Sequence, residues 1–75
     1  MQQLKEILKE ILPNVDWETE EDLVDEGILN SIDIITIISE ITDEYDIKIS
    51  TDKMRAENFN SVQAIYNMIK RLESE

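Results

Sequence analysis

Neither cysteine nor histidine occurs in the 75 residues. Without a thiol there is no disulfide, no cysteine nucleophile and no soft metal ligand. Without imidazole, the commonest general base is missing as well. A reducing compartment fits such a chain. There is one glycine, and one glycine cannot build a phosphate-cradling loop. No apolar run approaches the ~20 residues that span a bilayer, so no membrane insertion is expected. The opening "MQQLKEILKE" lacks the basic-then-apolar order of a signal peptide. Positive charge is scarce: 7 Lys and Arg stand against 18 Asp and Glu, a net of −11. That surface repels phosphate backbones, which disfavours nucleic acid, and attracts basic patches on proteins. The expectation is a cytoplasmic, monomeric protein of one domain, residues 1–75, which is not an enzyme.

What is present is helical. Leu4, Ile7, Leu8, Ile11 and Leu12 fall on one face of a first helix, which Pro13 ends. Residues 13–30 make a long acidic loop with apolar anchors at Val15, Trp17, Leu23, Val24, Ile28 and Leu29. Leu23-Val24 suits a short helical turn. "SIDIITIISEITDEY" is rich in Ile and Thr, so propensity leans towards a strand. Its polar residues recur every three to four positions, and that period is helical. Ile35, Ile38, Ile41 and Tyr45 are expected to form its buried stripe, widened by Ile34 and Ile37. Asn30 is placed to cap it, with Asp33 completing a capping box. In the connector 47–59, with anchors Ile47, Ile49, Met54 and Phe59, either Thr51-Asp52 or Arg55–Asn58 suits a short helix. Asn60 is expected to cap the last helix, with Gln63 completing a box and Val62, Ile65, Tyr66, Ile69 and Leu72 facing inward. The sum is an all-α bundle of three main helices, with a short third helix before the last.

Two Asn-Ser-apolar triplets stand out: Asn30-Ser31-Ile32 and Asn60-Ser61-Val62. If Asn30 caps, Ser31 is the first helical residue, beside unpaired backbone N–H groups and the positive end of the helix dipole. A phosphate ester is well placed there. Local sequence leaves open whether Ser31 is a chemical handle or an ordinary first-turn residue.

"DLVDEGILNSIDIITIISEITDEYDIKI" followed by "NFNSVQAIYNMI" resembles the acyl carrier and peptidyl carrier protein family over nearly the whole chain. The resemblance implies that Ser31 receives 4′-phosphopantetheine from coenzyme A through a separate phosphopantetheinyl transferase. The arm would carry an acyl or aminoacyl group as a thioester between a loading ligase or acyltransferase and downstream enzymes with basic docking patches. Fatty-acid synthesis, polyketide or peptide assembly, and D-alanine transfer all use relatives of this bundle. Partner recognition is expected at Asn30, Ile32, Asp33, Ile34, Asp43 and Glu44; Ile35, Ile38, Ile41, Tyr45, Ile65 and Ile69 are expected as core, and as cargo lining if the resemblance holds. The resemblance gives Ser61 no attachment role.

The chain departs from the family pattern at several places. Asn30 replaces the usual Asp of the attachment motif. Thr36 and Thr42 stand where many fatty-acid carriers have Glu, and Ser39 where an apolar contact residue is common. Helix 2 is therefore less acidic than in a general fatty-acid carrier, and Ile32 and Ile34 offer an apolar patch instead. A dedicated partner set, such as an adenylating ligase for one acid, follows. Two rival readings remain: an unmodified acidic interaction module with the same bundle, and a calcium loop over residues 22–33. In the calcium loop Asp22, Gly27 and Asp33 hold positions 1, 6 and 12, but Val24 takes a ligand position and cannot ligate through its side chain.

Overall fold

The computed structural model describes residues 2–74. Four helices follow one another: α1 (Gln2–Ile11), α2 (Ser31–Tyr45), α3 (Ala56–Phe59) and α4 (Val62–Glu73). A 3₁₀ turn, Thr51–Lys53, precedes α3. No strand occurs among the described residues. Both candidate short segments of the connector are thus helical turns, and the all-α bundle expected from the period is observed. No helix is long and apolar enough to cross a membrane among these residues.

The helices share one core. α1 packs on α2 and α4, and α3 packs on α4. Leu4 and Leu8 bury the inner face of α1, while Ile7, Ile11 and Leu12 on its shoulders are half-buried. Val62, Ile65, Met68 and Ile69 do the same for α4, with Tyr66 and Leu72 half-buried. From the acidic loop, Trp17, Leu23 and Leu29 enter that core. The Trp17 indole N–H donates to the Leu12 carbonyl at 3.1 Å, so this buried ring keeps its polar atom paired. Leu23-Val24 does form a helix-like turn, with Glu26 N–H donating to Asp22 at 2.8 Å and Gly27 N–H to Val24 at 3.0 Å. Gly27 closes it at φ 76, a left-handed conformation that suits glycine.

α2 corrects the expected stripe. Ile34, Ile37 and Ile41 are the buried residues. Ile35 is 56 % exposed, so it does not line the core. Ile38 and Tyr45 are half-buried against the core. Ile34, expected on the partner surface, is 8 % exposed. The reason is local: Leu29 and Ile34 occupy the positions just before the cap and four after it, a hydrophobic staple, and both lie in the same cluster. Once the staple turns Ile34 inward, helical spacing turns Ile35 outward. Ile28, expected as a loop anchor, is 39 % exposed.

The start of α4 corrects a second expectation. Ser61, not Asn60, is the cap, and its hydroxyl accepts the Ala64 N–H at 3.0 Å. Gln63 completes no box and donates instead to Asn67 at 2.9 Å. Asn60 is the C-cap of α3, and its side chain reaches the acidic loop.

α2 ends at Asp46, which is left-handed at φ 52 and ψ 48. This conformation is costly for a residue with Cβ. Asp43, Glu44 and Asp46 also crowd the negative end of the helix dipole, with no base in the last turn. Asp46→Gly is expected to stabilise the fold by about 0.5–1 kcal/mol. Thermal melting would show this as a midpoint a few degrees higher. A lower midpoint would mean that the carboxylate itself holds the turn.

Candidate functional site

Ser31 lies on a short exposed stretch held from both sides. Before it, Leu29 is buried and its N–H donates to the Leu23 carbonyl at 2.9 Å. After it, Ile34 is buried and its N–H donates to the Asn30 carbonyl at 3.0 Å, the first bond of α2. Between these anchors the capping box is complete. Asn30 Oδ1 accepts the Asp33 N–H at 2.8 Å, and Asp33 Oδ2 accepts the Asn30 N–H at 3.2 Å. Asn30, Ser31 and Ile32 are exposed, and Asp33 is half-buried.

The box leaves two first-turn donors unpaired by helix geometry, the N–H groups of Ser31 and Ile32. The Ser31 hydroxyl makes no hydrogen bond among the described residues. An exposed alcohol therefore stands beside free donors at the positive end of a 15-residue helix. That donor set fits a phosphodiester on this oxygen, because the bare N–H groups and the dipole both favour negative charge.

The two Asn-Ser pairs differ by one residue in register. In the first, Asn caps and Ser is left free. In the second, Ser caps and is half-buried, its oxygen occupied by Ala64 N–H. Of the two, the first hydroxyl is the one that is both exposed and without a hydrogen bond among the described residues.

The surroundings are apolar and acidic. Ile28, Ile32 and Ile35 are the large hydrophobic residues left exposed among the described residues, at 39 %, 73 % and 56 %. All three fall within four positions of Ser31. Thr36 turns its hydroxyl back to the Ile32 carbonyl at 3.0 Å and so adds no outward donor. No Lys or Arg occurs between residues 10 and 47. Asp43 and Glu44 are exposed, about 18 Å along the helix axis from Ser31. Glu44 also accepts from Gln3 at 3.2 Å, which ties it to α1. Among the expected core residues, Ile41, Ile65 and Ile69 are buried. Burial holds the Tyr45 phenol above its ordinary range, with Glu73 adding to the effect. Sequence reasoning placed Ile28 and Ile35 in the core and so missed them as part of this surface. The staple rule applied to Leu29 and Ile34 would have exposed Ile35.

The calcium reading finds little here. One oxygen of Asp33 is engaged in the capping box, and no group of three acids able to hold a metal occurs among the described residues.

Three carboxyls outside α2 titrate below their ordinary range. Glu18 sits below the usual carboxylate range, first because Lys5 hydrogen-bonds it. Asp16 is lowered chiefly by the Thr19 hydroxyl, and Asp52 chiefly by the Ser50 hydroxyl. A carboxyl lowered on folding adds stability above its unfolded pKa and loses it as pH falls through the folded value. These groups are fully exposed, so repulsion within the net charge of −11 is expected to outweigh them at pH 7. Raising NaCl from about 0.01 to about 0.15 M, which shortens the screening length from roughly 30 to roughly 8 Å, is expected to raise the thermal midpoint. A falling midpoint would show that the Lys5–Glu18 pair outweighs the repulsion.

Residues 2–69 match the family model described as the phosphopantetheine attachment site. A D-alanyl carrier protein of Streptococcus uberis is 31% identical over 55 residues, which covers 73% of this chain and 70% of that protein.

Proposed function

The chain belongs to the phosphopantetheine attachment-site family, whose members are carriers rather than catalysts and bear a covalent 4′-phosphopantetheine; on that footing we propose that Ser31 is the attachment residue of a single-domain carrier. The observation that carries this reading is the one-residue offset between the two Asn-Ser pairs. It leaves the Ser31 hydroxyl free and uses the Ser61 hydroxyl as a cap. Bound there, the arm supplies a thiol that holds an acyl or aminoacyl group as a thioester.

The chain's own residues present that arm. Asn30 and Asp33 fix the first turn, and the Ser31 and Ile32 N–H groups would hold the phosphate by hydrogen bonding. Ile28, Ile32 and Ile35 meet apolar surface on partner enzymes. Asp33, Asp43 and Glu44 meet basic residues that the region around Ser31 cannot supply for itself. The S. uberis relative is a D-alanyl carrier, so an aminoacyl cargo, loaded by an adenylating ligase, is the specific form of the proposal.

Intact mass after incubation with coenzyme A and a broad-specificity phosphopantetheinyl transferase tests the handle. One added phosphopantetheinyl group is expected. An unchanged mass in folded protein would instead leave the unmodified interaction module.

A further inference from the structure

Asn60 was expected to cap α4. Instead it grips the loop that leads to Ser31. Its carbonyl accepts the Leu23 N–H at 2.9 Å. Its Oδ1 accepts the Val24 N–H at 2.9 Å and the Asp25 N–H at 3.1 Å, and its Nδ2 donates to Asp25 Oδ2 at 3.0 Å. One residue therefore binds three consecutive residues, and both lone pairs of its amide oxygen are used.

The consequence reaches the site through the backbone. Leu23, held by Asn60, accepts the Leu29 N–H at 2.9 Å. Residues 23–29 are thereby closed into one turn, with Gly27 near its tip and Ile28 on its exit. Ile32 and Ile35 belong to a different element, α2, where three-residue spacing makes them neighbours. The apolar face around Ser31 is thus divided between a loop and a helix. α2 holds its own two members in place through its hydrogen bonds. Ile28 has no such frame and takes its position from the turn.

We propose that Asn60 is a positioning residue for the reaction at Ser31: it holds the 23–29 turn so that Ile28 lines up with Ile32 and Ile35. The occupant of that face is the modifying enzyme, through an apolar contact rimmed with basic residues. The charge of the site dictates the rim, since no base lies between residues 10 and 47. The inference rests on the reading of Ser31 given above.

Transferase kinetics with coenzyme A test it, at a temperature where circular dichroism shows every variant folded. Asn60→Ala is expected to raise KM for the chain roughly ten-fold, as for the loss of one interface anchor, with kcat little changed. In an Ile28→Ala background the same change is expected to alter KM by less than about two-fold, because there is no longer a side chain to register. Asn60→Asp alone sets two carboxylates face to face and raises KM. The exchanged pair Asn60→Asp with Asp25→Asn restores donor and acceptor in reversed order at unchanged net charge, and is expected to restore KM.

An equal rise in KM with and without Ile28 would overturn the proposal, because it would show general loosening. So would an unchanged KM in Asn60→Ala while wild type is modified, or an exchanged pair that rescues nothing. A wild type that gains no mass would overturn the Ser31 reading itself, and this proposal with it.

Discussion

Ser31→Ala is expected to stay unmodified while remaining folded, and Ser61→Ala is expected to be modified fully while losing about 1 kcal/mol of stability. The two serines share a local sequence, so the contrast comes only from register. At the first pair the cap is Asn30, whose oxygen takes the Asp33 N–H. Removing the Ser31 hydroxyl breaks no hydrogen bond among the described residues and removes an exposed atom, so urea midpoints should match wild type closely. At the second pair the cap is Ser61 itself, and alanine leaves the Ala64 N–H without its partner. Intact mass and urea denaturation on the same samples separate the outcomes. Modification of Ser31→Ala would mean that another hydroxyl is the handle. Loss of modification in Ser61→Ala, with the fold intact, would mean that the α4 start takes part in recognition.

Phe59→Ala is expected to cost about 3–5 kcal/mol. At roughly 0.05–0.15 kcal/mol per residue, the chain of 75 residues holds only about 4–11 kcal/mol in total. A protein near the lower bound would be largely unfolded at 37 °C. Phe59 is fully buried and closes a helix of four residues, which is far too short to be stable without tertiary packing. Its neighbour Asn58 is also buried, with Nδ2 donating to the Lys53 carbonyl at 2.8 Å and Oδ1 accepting from Arg71 at 3.0 Å. Loss of the ring therefore loosens a buried polar group as well as opening a cavity. Ile35→Ala is the control: the side chain is 56 % exposed, and its removal should change stability by less than about 0.5 kcal/mol. Urea melts followed by circular dichroism compare the two. A small effect at Phe59 would mean that the core refills around α3. A large one at Ile35 would return that residue to the interior.

Much of this was legible in the sequence because it is local. Spacing gave α1 and α4, and it read α2 as a helix despite an Ile and Thr content suited to strand. The box of Asn30 and Asp33 was found from residue types alone. What failed had two physical causes. α2 carries six isoleucines between residues 32 and 41, more than one helix face can hold, so period could not choose which of them turn inward. The staple at Leu29 and Ile34 decides it, and a staple is visible only once the cap is fixed. Asn60 failed for another reason. Its partners lie 35 to 37 residues away, and no local rule can anticipate a bond of that range. The serine itself was legible as a residue, but its freedom relative to Ser61 depended on which member of each Asn-Ser pair became the cap.

The two ends of α2 differ in how firmly they are closed. The Ser31 end has a box, a staple and a complementary dipole. The Tyr45 end has acids against its own dipole and a left-handed aspartate. Fraying should therefore run one way, and amide exchange should rise from Ile37 towards Asp46. A basic partner settling on Asp43 and Glu44 would neutralise the charges that loosen this end. Docking there would lengthen the lifetime of the helix, and a bound chain is expected to exchange its last-turn amides more slowly than a free one.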